Sequence, residues 1–412
     1  MQTLLQLKSG KLMGISHLTL SENLTTFPIE ILSLADSLEI LDLSNNQLKS
    51  IPAEIKQLNK LKIIFASNNL FEDLPESLGQ CKSLEMIGFK ANKIKDVPEQ
   101  SLPVKLRWLI LTDNQITRLP DSLGERPRMQ KLALSGNQLK ELPANLAQLY
   151  NLELVRISAN DITQFPDQLL NLPKLAWLAF SGNPFSRTKS DIQSIPSVAS
   201  SSLTLHNVLG QGASGVISKA VWNSPTAAFP EEVAIKVFKS ELTSDGYPED
   251  ELQACLKVGE HANLIKPLAQ INEKHCLALV MELIPEHYNN LGLPPDFDTC
   301  TRDTFKVGFT LSIGQISKIV EQMQLVFTHL HQNLVCHGDL YAHNTLFDQD
   351  ANIIFGDFGA ASMYHMLNEK QQAQIQKIER RALHNFIQDL LSVCNEEDKI
   401  SKQYKFLNSQ LH

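Results

Sequence analysis

Three things are scarce in this sequence. Its six cysteines (Cys81, Cys255, Cys276, Cys300, Cys336 and Cys394) are scattered, with no C-x-x-C pair among them. That argues against a structural zinc site or a small oxidised scaffold and points to a reducing compartment. No apolar run approaches the roughly 18 residues of a membrane span, and Met1 to Gly14 lacks the apolar segment and small-residue cleavage site of a signal peptide. Positive charge is short as well: 37 Lys and Arg stand against 45 Asp and Glu, a net charge of −8. No basic face dominates that would release counterions from nucleic acid. These absences predict a soluble, cytoplasmic protein that binds no nucleic acid and spans no membrane. What is present is globular usage, with 43% hydrophobic and 20% charged residues over a 412-residue chain. That length exceeds one ordinary core and predicts two folded units.

The first half is periodic. The run Leu38-x-x-Leu41-x-Leu43-x-x-Asn46-x-Leu48, followed by Ile51-Pro52, returns down the chain, and its asparagines recur at Asn46, Asn69, Asn92, Asn114, Asn137, Asn160 and Asn183, every 22 or 23 residues. A degenerate copy around Leu18, Leu20 and Phe27 precedes them and reads as a cap. This is a leucine-rich-repeat pattern. Each copy makes a short strand whose alternate residues point inward, and each coil buries its face against its neighbours. The asparagines stand where the chain leaves the strand, where an amide that both donates and accepts can satisfy backbone groups outside any ladder. The variable strand positions Phe65, Met86, Arg107, Trp108, Arg156 and Trp177 predict an exposed concave face for a protein partner or substrate, because aromatics and arginines dominate binding hot spots. From Phe185 to Ser202 the period stops and serines accumulate. The predicted organisation is a repeat domain of about eight copies over 1–185, a linker over 186–202 and a second domain over 203–412.

The second domain carries a different set of signals. Leu209-Gly210-Gln211-Gly212-Ala213-Ser214-Gly215-Val216 is a G-x-G-x-x-G-x-V run. The apolar residues after it predict a second strand rather than a helix, so a hairpin whose backbone N–H groups lie over a triphosphate is expected. Val233-Ala234-Ile235-Lys236 follows, with Lys236 placed for the α and β phosphates. In the helical stretch from Glu251 to Val258, Glu251 is placed to reach that lysine. His337-Gly338-Asp339-Leu340-Tyr341-Ala342-His343-Asn344 and Asp357-Phe358-Gly359 come next, 13 residues apart counted from Asn344. Asn344 and Asp357 supply oxygen ligands for Mg2+ or Mn2+, and Asp339 is placed to orient or deprotonate an acceptor hydroxyl.

With these motifs in order, residues 203–412 resemble a eukaryotic-type protein kinase domain, and the whole chain resembles the bacterial leucine-rich-repeat protein kinases. The resemblance implies an ATP-dependent, serine/threonine-directed protein kinase. Its fold would be an α/β solenoid followed by an α+β two-lobed domain. It implies Met281 as gatekeeper, Glu282 and Leu283 as the adenine-binding hinge, and Ile316 to Gln332 as the helix leading into the catalytic loop. Glu379 would be the acidic anchor of that loop.

The sequence departs from the family in three places. Gly338 replaces an arginine, Tyr341 stands where a lysine is usual, and no A-P-E follows Asp357. His-Gly-Asp also resembles the loop of aminoglycoside and choline phosphotransferases. A small-molecule phosphotransferase and a nucleotide-binding pseudokinase scaffold therefore stand as alternatives.

Overall fold

A computed structural model describes residues 2–187, 195–212, 214–224, 229–239 and 242–411. It divides into two compact units. The first is Met1–Leu175 with Asn183–Phe185, and the second is Ala176–Gly182 with Ser186–His412.

The first unit opens with a short helix α1 (Leu4–Lys8), closed by a Thr3–Gln6 capping box. Seven three-residue strands follow: β1 (His17–Thr19), β2 (Ile40–Asp42), β3 (Ile63–Phe65), β4 (Met86–Gly88), β5 (Trp108–Ile110), β6 (Lys131–Ala133) and β7 (Leu154–Arg156). They pair in parallel in sequence order. The middle residues Leu18, Leu41, Ile64, Ile87, Leu109, Leu132 and Val155 form a fully buried row. The asparagines do what the spacing predicts. Asn69 Nδ2 donates to Leu43 O at 2.9 Å and Ala66 O at 3.1 Å, while its Oδ1 accepts from Leu48 N at 2.9 Å. Asn137 repeats this with Leu111 O, Leu134 O and Ile116 N. Each amide thus ties one coil to the one before it. The preceding residue is left-handed along the ladder, as at Asn45, Asn68, Ala91, Asp113, Gly136 and Ala159.

The expected exposed concave face is corrected by burial. Met86 is 3% exposed, Trp108 7%, Arg156 4% and Trp177 1%. Within the first unit the cause is register: Ile63, Met86, Trp108, Lys131 and Leu154 stand in one row, so large side chains cover each other. The Lys131 ammonium lies 5.0 Å from the Trp108 ring centroid. Phe65 is half-buried and lies over Gly88, where a Cβ would come within 2.6 Å of its ring. Arg107 is not on a strand; its Nε donates to Gln130 Oε1 at 2.8 Å, and it pairs with Glu85 at 3.5 Å.

Strand β8 (Trp177–Ala179) groups with the second unit, while Asn183–Phe185 stays with the first. The end of the stretch expected as a linker is bonded to strand β12 (Pro267–Glu273). Gln270 N donates to Pro196 O and Val198 N to Gln270 O, both at 2.9 Å, while Ser200 is held by the Glu273 carboxylate. These bonds fix the end of that stretch as added edge structure; residues 188–194 of the expected linker lie outside the described residues.

An antiparallel sheet in the order β12-β13-β11-β10-β9 follows, made of β9 (Leu203–Gln211), β10 (Gly215–Trp222), β11 (Glu232–Phe238), β12 (Pro267–Glu273) and β13 (Cys276–Glu282). Its alternating residues Ala220, Trp222, Val233, Ile235, Ala269, Ile271, Ala278 and Val280 form one buried cluster. Helix α2 (Pro248–Val258) starts with proline in its first turn and three acidic residues, which suit a helix N-terminus. The helical part is built on α3 (Ile313–Gln332) and α4 (Glu369–Ser392), each opened by a capping box, Ser312 with Gln315 and Asn368 with Gln371. Their buried residues recur every three to four positions and face inward. Between and after them lie β14 (Asn289–Asn290), β15 (Val335–Cys336), β16 (Thr345–Phe347), β17 (Ile353–Phe355), β18 (Ser362–Met363) and a last helix α5 (Lys402–Ser409). β14, β16 and β17 form a small sheet, and β15 pairs with β18. Among the described residues no helix is long and apolar enough to cross a membrane.

Candidate functional site

The glycine-rich run is a hairpin, as its flanking residues predict. Gln211 on β9 pairs with Val216 on β10, and Gly212 N donates to Gly215 O at 3.0 Å. The three glycines are not equivalent. A Cβ at Gly215 would meet Val237 O at 2.6 Å, so the fold itself demands glycine there. A Cβ at Gly210 or Gly212 would meet nothing within 4 Å among the described residues, and neither residue has a positive φ. Neither packing nor backbone geometry requires those two glycines. They leave bare backbone facing open space, the arrangement an oligophosphate needs to approach peptide N–H groups. Leu209 is 48% exposed at the hairpin's edge; Ala213 lies outside the described residues.

Lys236 sits on β11, where Ile217 of β10 and Leu279 of β13 flank it in register. Its ammonium hydrogen-bonds the Glu251 carboxylate from α2 and lies 3.8 Å from Asp357 Oδ1. Lys236 is 8% and Glu251 5% exposed, whereas half of the Asp357 side chain is open to solvent. Burial pushes the lysine's pKa down, but the Glu251 and Asp357 carboxylates outweigh it and hold it above the ordinary value. The neighbouring Cys255 thiol is pushed up to about 12 by burial and stays neutral. Gly212, Gly215, Lys236, Glu251, Met281 and Asp357 line one cavity of about 120 Å³. Ala234 is buried and pairs with Met281, while Glu282 and Leu283 line a neighbouring cavity of about 570 Å³ with Lys266 and Tyr288.

Asp339 and Asn344 lie together on the loop after β15. Asn344 Nδ2 donates to Asp339 Oδ2 at 2.8 Å and to Asp339 O at 3.1 Å, which leaves the amide oxygen as the Asn344 group for a cation. The loop is anchored from α4. Glu379 Oε1 accepts from His337 N at 2.7 Å and Gly338 N at 3.3 Å, and Oε2 lies 2.9 Å from His331 Nε2. His337 is fully buried; its Nε2 is 3.1 Å from Gly356 O, and its ring lies 4.2 Å from that of Phe355. Because a carbonyl only accepts, that nitrogen carries the proton. Asp357 itself is left-handed, with φ 59°, and accepts from Gly359 N at 3.4 Å.

Two supports escaped the sequence. Asp303 Oδ2 accepts from Ala342 N at 2.7 Å, and its Oδ1 lies 3.2 Å from His343 Nδ1. Nothing in the residues around Asp303 advertises this, since the contact spans about forty positions. The other is Trp177, expected on a concave surface and instead stacked on Tyr341, with ring centroids 5.1 Å apart.

Residues 203–400 match the family described as Protein kinase domain, and residues 36–79 match Leucine Rich repeats (2 copies). Both kinds of domain are present in this chain. A serine/threonine-protein kinase of Debaryomyces hansenii is 26% identical over 160 residues, covering 38% of this chain and 26% of the relative. The cysteine-rich receptor-like protein kinase 37 of Arabidopsis thaliana is 29% identical over 173 residues, covering 41% and 24%. The chain thus spans about a quarter of the length of these curated relatives. Among solved structures, a leucine-rich-repeat protein of Leptospira interrogans is 28% identical, covers 40% of this chain and 55% of its own, and has a TM-score of 0.27.

Proposed function

We propose that this protein is an ATP-dependent, serine/threonine-directed protein kinase whose repeats recognise a protein partner or substrate. The observation that carries the proposal is the convergence in one cleft of Lys236, its buried partner Glu251 and the exposed Asp357, beside a hairpin with two glycines that its own fold does not require. In this reading Lys236 binds the α and β phosphates, and the hairpin from Leu209 to Val216 covers the triphosphate. Met281, Glu282 and Leu283 frame the adenine. Asn344 and Asp357 would hold Mg2+ or Mn2+, which supplies charge neutralisation at the phosphates. Asp339 accepts the proton of the acceptor hydroxyl as its oxygen bonds to phosphorus and the bond to the ADP oxygen breaks. Six free thiols, five of them buried, favour a reducing, cytoplasmic setting.

The test is transfer of label from ATP, offering serine, threonine and tyrosine proteins beside small alcohols. Label on protein serine or threonine is expected. Asp339→Asn should keep ATP affinity and lose most turnover, while Asp357→Asn should also weaken metal-dependent nucleotide binding. Wild-type turnover in both variants overturns the assignment of these residues. Label on a small alcohol, or nucleotide binding with no transfer, overturns the protein-kinase reading.

A further inference from the structure

Strand β8 continues the repeat pattern, yet its side chains and backbone serve the loop that carries Asp339. Trp177 Nε1 donates to Leu340 O at 3.0 Å, and its indole lies parallel to the Tyr341 ring, with 2° between the planes. Tyr341 in turn stacks on His343, centroids 5.0 Å apart. Next along the strand, Leu178 O accepts from Cys336 Sγ at 3.6 Å. It also stands 2.7 Å from where a Cβ on Gly338 would lie. The N–H groups of Phe180 and Ser181 both donate to Ser362 Oγ, at 2.9 and 3.1 Å, and so reach the strand paired with β15.

We infer that Ala176–Gly182 is a working part of the catalytic loop and that Trp177 is a positioning residue for Asp339. The inference rests on the reading of Asp339 given above. The direction of the Asp339 carboxylate follows the path of the loop backbone on both sides of it, and its own carbonyl is held by Asn344 Nδ2 at 3.1 Å. On the N-terminal side of Asp339, Glu379 holds the N–H groups of His337 and Gly338. On the C-terminal side, the Leu340 carbonyl is held by the Trp177 indole, which is 1% exposed. A buried carbonyl deprived of its donor turns toward another one, and the peptide turns with it. Tyr341 is clamped between two rings and loses one side of that clamp when the Trp177 ring is removed. The anchor lies outside residues 203–400, the stretch that matches the kinase family. The second unit therefore draws a part of its site from a segment that reads as repeat.

The test uses the full chain with Trp177→Phe and Trp177→Ala. Phe keeps a ring for Tyr341 and loses only the donor; Ala loses both. Amide hydrogen exchange is followed over residues 336–342, with residues 215–238 as an internal reference, and kcat is separated from the KM for ATP. In Trp177→Phe, loop exchange should rise and kcat fall by about tenfold, equivalent to about 1.4 kcal/mol. The KM for ATP should stay within about twofold, because the phosphate-side residues are untouched. Trp177→Ala should be worse on both loop readouts; if it fails to fold, Trp177→Phe decides. Unchanged loop exchange, or an equal rise over 215–238, overturns the inference. If the wild-type chain transfers no phosphate while loop exchange responds as expected, the proposed activity fails and the anchoring by Trp177 stands.

Discussion

The Glu379 carboxylate, in the middle of a 24-residue helix, accepts the backbone N–H of His337 at 2.7 Å. Glu379 is 1% exposed, and its two oxygens serve His337, Gly338 and His331. Glu379→Leu leaves two loop N–H groups without an acceptor and should cost about 3–5 kcal/mol. Glu379→Gln keeps one acceptor oxygen and should cost about 1–2 kcal/mol. Denaturant midpoints of the two variants check both the order and the size.

Gly338 explains itself sterically. With φ +71°, and backbone oxygens of Leu178 and Ala360 at 2.7 and 2.9 Å from the site of a Cβ, any side chain is excluded. Left-handed strain alone costs about 1 kcal/mol, and overpacking against fixed backbone adds about 1–3 kcal/mol. Gly338→Ala should therefore lower the melting temperature and turnover together. Gly338→Arg, with a longer side chain at the same closed position, should be worse on both. An active, stable Gly338→Arg would contradict this account.

Asn137 tests the repeat ladder. Asn137→Ala removes one donated and one accepted bond to the preceding coil and one donated bond within its own, leaving buried backbone groups unpaired. About 2–4 kcal/mol should be lost. Asn137→Asp keeps the acceptor for Ile116 N but sets a carboxylate against two carbonyls, so it should be no better than alanine. Chemical denaturation of the full chain, followed by a probe in the repeats, measures both.

Asp250, in the first turn of α2, supplies a pH dependence. Burial pushes its carboxyl up from 3.8 to about 6, with Arg187 opposing and Glu249 reinforcing the rise. Its Oδ2 is buried and without a hydrogen-bond partner among the described residues. Because the folded value lies above the unfolded one, this group contributes stability below about pH 4, and that contribution is lost as pH rises through 6. Asp250→Asn removes the penalty. It should match wild type near pH 4 and be more stable at pH 7 by about 2 kcal/mol, less than the full shift is worth because the residue keeps some solvent contact. Melting curves at the two pH values check the sign.

The sequence by itself determined whatever is written in local spacing. Seven asparagines at 22 or 23 residues fix the coil length, because each amide must reach the coil before it. The glycines, Lys236, Asp339, Asn344 and Asp357 were legible because each lies in a short motif of constrained residue types. The pairing of Glu251 with Lys236 was legible from helical phase, since it needs only one face of α2 to meet the sheet. Only the tertiary structure decided what depends on distant chain segments. It buried Trp108 and Trp177, which spacing alone places on an open face, because spacing says where a side chain starts and not what covers it. It assigned Ala176–Gly182 to the second unit, with Trp177 bound to a carbonyl 163 positions away. It also gave Gly338 its reason, which is the position of two backbone oxygens that no local pattern encodes. Local motifs record chemistry that one segment can carry alone, as Asn344 does in bonding Asp339; the backbone on either side of Asp339 is held by contacts from α4 and β8, and those exist only once the chain has folded.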